Sequence, residues 1–138
     1  MGKVSVVAAT EARERSVANS PAGASYRDAK YEVDKLPYFP LDGEGLQLFR
    51  IDMGPDAEVL PHAHTEDEIV YVLEGSILLG ARTLGPGDAL HITKDTLYGF
   101  TTGPDGCVFL NFRPTDKVGY LSKEQFLAVA TWLQAELN

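Results

Sequence analysis

From Leu46 to Met53 the chain reads LQLFRIDM, and Phe49, Ile51 and Met53 alternate there with Arg50 and Asp52. A period of two marks a strand with unlike faces, because successive side chains in extended backbone point to opposite sides. One of the two sets faces a core or cavity. Similar runs rich in Val, Ile, Leu, Tyr and Phe recur at Glu68–Leu73, Ser76–Leu79, Ala89–Thr93 and Val108–Phe112. Turn-forming residues separate them: Asp42-Gly43, Gly54-Pro55, Glu74-Gly75, Gly85-Pro86-Gly87-Asp88 and Gly103-Pro104-Asp105-Gly106. Strands recurring about every ten residues predict an all-β sandwich or barrel, not alternating β and α units. The pattern changes near the C-terminus. Ser122-Lys-Glu-Gln125 has the form of a capping box, and Phe126, Ala130, Leu133 and Leu137 follow at helical spacing. These residues predict an α-helix over 121–138, packed on the sheet or on a partner. Residues 1–29 mix charge with small side chains and hold no period, so they are expected to form an irregular arm ahead of a barrel over 30–120.

Composition narrows function more than fold. At 138 residues the chain is one domain, and 44% apolar with 23% charged residues is the balance of a protein that folds. A net charge of −8 argues against nucleic acid and against an anionic membrane surface, both of which require clustered Lys and Arg. A small molecule is the expected partner. Cys107 is the single cysteine, so neither an intramolecular disulfide nor a cysteine-based zinc site is available. The apolar run Val4–Ala9 is too short for a signal peptide, and no stretch approaches membrane-spanning length. A soluble, cytoplasmic protein is expected.

Candidate chemistry concentrates in Leu60–Gly75, LPHAHTEDEIVYVLEG. In extended backbone His62 and His64 project from one face with Cα atoms roughly 6.5–7 Å apart, near enough for two imidazoles to converge on one ion. The polar Thr65-Glu66-Asp67 suits a bend that returns Glu68 over the same face. Beyond it Glu68, Val70 and Val72 share one side of a strand, and Ile69, Tyr71 and Leu73 the other. Both sides are apolar, so both are expected to be covered. A carboxylate set in such a strand costs several kcal/mol if it is buried unpaired, and a metal is one way to offset that cost. The plainer alternative has the histidines lining a rim and Glu68 meeting solvent.

The stretch from Gly54 to Phe100 resembles the cupin superfamily. The likeness is carried by His62-Ala-His64, by Glu68 three residues later and by Gly75 six residues after that. Gly54 stands for the family's opening glycine, a little farther from the histidines than usual. Pro86-Gly87-Asp88 matches the turn of the second motif, Tyr98 occupies the place of its last histidine, and Thr93 the place of its frequent proline. The resemblance implies a small double-stranded β-helix, or jelly-roll barrel, and a homodimer. It is specific for fold and weak for chemistry, since cupins include oxygenases, isomerases, epimerases, decarboxylases, lyases and non-enzymatic binders.

With a tyrosine in the last position, His62, His64 and Glu68 are the expected metal ligands. Two histidines and one carboxylate leave coordination positions open, the arrangement of non-haem Fe(II) oxygen chemistry. Fe(II) is the favoured ion, and Mn, Ni, Zn or Cu could occupy the same donors. A phenol stays neutral at pH 7 unless a metal or cation stabilises its phenolate, so Tyr98 is a candidate hydrogen-bond donor or acid/base beside the ligands, or equally a lid residue on the cavity mouth, with Glu68 the second catalytic candidate. The first reading is a metal-dependent, oxygenase-like enzyme acting on a small organic molecule in the barrel. The alternatives are a non-catalytic binding module and a metal-free acid/base enzyme using His64 and Tyr98. His91 is a weaker substitute ligand. Arg50 could hold a substrate carboxylate, but a surface or interface role is expected of it and equally of Asn111 and Arg113. Glu66 and Asp67 are expected to be solvated, and Cys107 to be an inert strand residue. Edge strands of so small a barrel invite a second copy, which again predicts a homodimer.

Overall fold

The computed structural model describes residues 2–18, 33–41, 45–115 and 118–129. Its elements in chain order are α1 (Ala9–Glu14), β1 (Val17–Ala18), β2 (Val33–Phe39), β3 (Gln47–Met53), β4 (Glu58–His64), β5 (Glu68–Leu79), β6 (Arg82–Leu84), β7 (Ala89–Ile92), β8 (Tyr98–Arg113) and β9 (Tyr120–Ser122). Residues 123–129 are helical. The alternation in β3 resolves in favour of its apolar set: Ile51 and Met53 are buried while Asp52 is exposed. Every strand pairing is antiparallel.

The long strand β8 organises the sheet. On one side it pairs along its length with β5; on the other its first half pairs with β4 and its second half with β3. The path runs β1-β2-β3-β8-β4-β9, and β5 adds β6 and β7. The inner faces enclose a core that includes Met53, Val59, Val72, Ile77, Phe100 and Phe109. Burying each such side chain contributes about 1.5–3 kcal/mol. This is the all-β architecture expected from the strand spacing.

Two predicted breaks are not breaks. Glu68–Leu73 and Ser76–Leu79 join in the single strand β5, and Gly103–Gly106 lies inside β8. Glycine is the reason in both places. Gly75 and Gly106 have φ of +73° and +76°, and the β5–β8 register shifts beside Gly75. A Cβ on Gly75 would lie 2.1 Å from the Gly106 carbonyl oxygen, and one on Gly106 would lie 2.4 Å from that of Met53. Bulges without side chains let three backbones pass here, so the sequence's turn signal marks a close approach.

The ends of the chain also refine the expectation. Part of the stretch expected to be irregular is the helix α1, which buries Ala12 and is pinned to β2. Arg13 pairs with Asp34, and Arg15 donates to the carbonyls of Pro37 at 2.6 Å and Tyr38 at 2.8 Å. At the other end the capping box is present as read. Ser122 N donates to Gln125 Oε1 at 2.9 Å, and Gln125 N donates to Ser122 Oγ at 3.2 Å. Of the apolar seam predicted after it, Phe126 is half-buried, and Ala130, Leu133 and Leu137 lie outside the described residues. No helix among the described residues is long and apolar enough to cross a membrane.

One face of β5 is covered and the other is not. Val70 and Val72 are buried, whereas Ile69 is 47% and Tyr71 41% exposed. The expectation that both faces are covered holds, within one chain, only for the inner face.

Candidate active site

Strand β4 delivers the two histidines. His62 pairs across the ladder with Tyr98 of β8 and Ser122 of β9, and His64 pairs with Tyr120. Alternation sends both imidazoles to the same side, with ring centroids 4.8 Å apart. Tyr98 lies 4.7 Å from His62, and Tyr120 stacks on His62 at 5.4 Å. Each histidine spends one nitrogen on the backbone. His62 Nδ1 meets the Leu60 carbonyl at 2.8 Å, and His64 Nδ1 meets that of Gly119 at 3.1 Å. A carbonyl only accepts, so both rings carry their proton on Nδ1 and a lone pair on Nε2.

Residues 65 and 66 form the expected bend, after which Glu68, at 2% exposure, enters the core side of β5. Its carboxylate is surrounded by donors. Tyr98 Oη donates to Oε1. Asn111 Nδ2 donates to Oε2 at 2.9 Å, and Arg113 reaches the same oxygen through Nε at 3.0 Å and Nη2 at 2.9 Å. Gln47 Nε2 donates to Asn111 Oδ1 at 2.9 Å, which fixes the orientation of that amide. Arg113 Nη2 also lies 3.4 Å from His64 Nε2, on the lone-pair side of the ring.

Burial and charge set the protonation states. Burial pushes the His62 imidazole below its ordinary value, against the partial support of the Leu60 carbonyl and Glu68. Burial and then the Arg113 guanidinium push His64 down to about 4. Both rings are neutral bases at pH 7. Burial alone would raise Glu68, but Arg113, Tyr98 and Asn111 together hold its carboxyl below the usual carboxylate range. These side chains line a cavity of about 200 Å³ whose remaining wall includes Lys35, Phe49 and Phe100. That is below the ~300–1,000 Å³ of sites for drug-sized ligands, so it suits a small molecule or one end of a longer one.

The expected three-ligand metal set is not assembled. Among the described residues no group of three or more His, Cys, Asp or Glu side chains stands in position to hold a metal ion. The histidine pair is oriented for one, since each Nδ1 is anchored, although only the Nε2 of His62 is clear of Arg113, whose Nη2 lies 3.4 Å from that of His64. Glu68 is not, because its oxygens already accept from a phenol, an amide and a guanidinium, and the guanidinium faces His64 as well. Nor does an orphaned polar atom call for a ligand. The buried side-chain atoms without a partner among the described residues are Arg15 Nε and Asp34 Oδ1, neither on the cavity wall.

His91, Asp67, Arg50, Asp52 and Cys107 fall outside the cavity. His91, 57% exposed, bonds Asp67 through Nε2 at 3.1 Å and does not replace the missing ligand. Asp67 also accepts from Lys94 N at 2.8 Å. Arg50 and Asp52 alternate away from the inward Phe49, Ile51 and Met53. Cys107 is buried, and burial pushes its thiol up to about 11, as befits an inert residue. Asn111 and Arg113 correct the expectation of a surface role: both belong to the cavity. Their signal was present in the sequence, since Cys107, Phe109, Asn111 and Arg113 share one period-two face. Gln47 and Lys35 carried no comparable mark.

The sequence model of the cupin family matches residues 14–115, well over half of the chain. No curated protein matches the chain significantly. Among solved structures, the polyketide cyclase RemF from Streptomyces resistomycificus is similar at 27% identity, with 91% of this chain and 90% of that one covered and a TM-score of 0.56. KdgF from Halomonas sp. is 24% identical over 69% of this chain and 84% of its own, with a TM-score of 0.52. A cupin-like protein from Thermotoga maritima is 18% identical over 72% and 86%, with a TM-score of 0.57.

Proposed function

The chain belongs to the cupin family, and on that premise we propose that it is an acid/base enzyme moving a proton at carbon next to a carbonyl in a small molecule. The observation that carries this reading is the Glu68 cluster: a buried carboxylate committed to Arg113, Asn111 and Tyr98, beside two neutral imidazoles. Such a cavity has a base, a proton donor and a fixed cation within one small volume. His62 is the base, because its Nε2 lone pair is free of the Arg113 contact that engages His64. Tyr98 turns its hydroxyl proton from Glu68 to the substrate oxygen, and Arg113 stabilises the negative charge that develops there. Glu68 holds Arg113 and Tyr98 in position. The likeness to a polyketide cyclase, at 27% identity over nearly the whole of both chains, supports carbonyl chemistry as the class.

The test is hydrogen–deuterium exchange at the α-carbons of a panel of small ketones and aldehydes, followed by NMR with chelator present. Exchange should persist under chelator and fall by about 10²–10⁴ in His62→Gln and in Tyr98→Phe. Exchange that stops with chelator and returns with Fe(II) would sink the reading.

A second reading keeps the metal-dependent, oxygenase-like enzyme. The two neighbouring imidazoles, each anchored through Nδ1, favour it. His62 and His64 would hold Fe(II), or Mn, Ni, Zn or Cu, which would supply O₂ activation or substrate polarisation; Glu68 would have to leave Arg113 to join them. Turnover that requires both Fe(II) and O₂ would establish it. We also propose a cytoplasmic homodimer. Ile69 pairs with Phe112 across the ladder, and with Tyr71 they form an outer apolar face, 41–47% exposed, beside an open groove of about 1040 Å³. Light scattering that gives the mass of one chain would reject the dimer.

A further inference from the structure

Lys35 stands on the wall of the same cavity and has no part in the mechanism above. It shares a face of β2 with buried Val33, and its ladder partner is the inward Ile51, so the side chain points into the barrel. Its Nζ lies 4.3 Å from the centroid of the Phe49 ring. Among the described residues Glu68 is the single carboxylate on the cavity wall and is bound to Arg113, and the Lys35 ammonium makes no hydrogen bond or ion pair. The charged and titratable groups around it are His62 and His64 from β4, Glu68 from β5, Tyr98 and Arg113 from β8 and Tyr120 from β9. Burial, and then the Arg113 guanidinium, push the Lys35 ammonium down to about 8. An amine desolvated among apolar side chains and placed near a second cation is the activated form in which lysine acts as a nucleophile.

We propose that Lys35 is a covalent catalytic residue whose Nζ forms a Schiff base with an aldehyde or ketone held in the cavity. The nitrogen lone pair forms a C–N bond to the carbonyl carbon while the C=O π electrons pass to oxygen. A proton moves from nitrogen to that oxygen, giving a carbinolamine. A second proton, from Tyr98, lets the hydroxyl leave as water as the C=N bond forms. The resulting iminium draws electrons from the neighbouring C–H bond, and His62 removes that proton to leave an enamine. Reprotonation at carbon and addition of water reverse the sequence and free the lysine. This inference rests on the reading of the cavity as a carbonyl acid/base site, and within it the iminium takes the place of the carbonyl oxygen as the electron sink.

The experiment is reductive trapping. The tag-free full chain is incubated with butanal and cyanoborohydride at pH 8, and the reduced secondary amine is located by peptide mass mapping. Lys35 should label about tenfold or more faster than exposed Lys94 and Lys123, since a lysine near 8 holds far more free amine at that pH than an ordinary one. Lys35→Arg should remove that label while leaving the others. Lys35 labelling no faster than Lys94 overturns the proposal. So does stabilisation of the wild type by acetate, lost in Lys35→Met, without a Lys35 label; that would make Lys35 an anion-binding cation. Trapping does not require a base, so His62→Gln should still label at Lys35. A label on a protein that exchanges no α-hydrogen leaves Lys35 a reactive amine and overturns both its catalytic role and the reading it rests on, whereas exchange undiminished in Lys35→Arg overturns this inference alone.

Discussion

Asp67 and Glu68 are consecutive residues with the same charge, and each gathers donors and stands near a histidine, yet only one builds a site. Asp67 points outward, where it holds His91 and the Lys94 backbone in water, with side chains 49% and 57% exposed for the acid and the imidazole. Glu68 points inward at 2% exposure and holds Arg113, Asn111 and Tyr98. The residue types barely differ; the solvent does. In water an ion pair is screened and adds little to stability, although the Lys94 N–H and then His91 hold the Asp67 carboxyl below its ordinary value. In the core the same attraction is opposed by desolvation, every lone pair must be matched, and His64 is driven down to about 4. Period-two geometry separates the two environments with a single peptide unit.

The comparison breaks most visibly at Arg113. Arg113→Met should destabilise the protein by about 3–5 kcal/mol in urea unfolding, because Glu68 would be left buried without its cation. The double variant Glu68→Gln, Arg113→Met should recover much of that loss, and additive effects would show that the pair is not coupled. Next in size is Asn111→Ala, which strips one donor from Glu68 and the acceptor from Gln47 and should cost about 1–3 kcal/mol. pH sharpens the contrast further. His64 is lowered in the folded state, so between about 6.5 and about 4 the unfolded chain binds more protons than the folded one. Stability should therefore fall as pH drops through that window, by about 5 °C in melting temperature, and His64→Gln should flatten the profile there. Asp67→Asn is the smallest change: its melting temperature should match that of the wild type, and a large loss would mean the outer cluster is not merely solvated.

Much of this arrangement could be read from the chain. The HxH pair, the returning Glu68, the Pro86-Gly87-Asp88 turn and the Ser122–Gln125 capping box are local patterns, and local geometry realises them: the turn is closed by Gly85 N donating to Asp88 Oδ2 at 2.8 Å. The partners of Glu68 were not legible in the same way. Alternation showed that Asn111 and Arg113 share a face with Phe109, but the inward face of β8 is chosen by its pairing with β3, about sixty residues away in sequence. Lys35 was hidden for a different reason. Strand β2 contains Pro37 and a bulge beside it, so the stretch has no clean period, and only its ladder with β3 turns the lysine inward. A motif that defines three donors does not say whether a cation from another strand already occupies them.

The central claim is that Glu68 serves Arg113 and Tyr98 rather than a metal. Elemental analysis of tag-free protein purified without chelator, wild type beside Glu68→Gln, tests it most directly. The account predicts the same metal content in both, whether or not the histidine pair retains some ion. Near-stoichiometric metal in the wild type that disappears in Glu68→Gln would contradict it and restore the three-ligand centre.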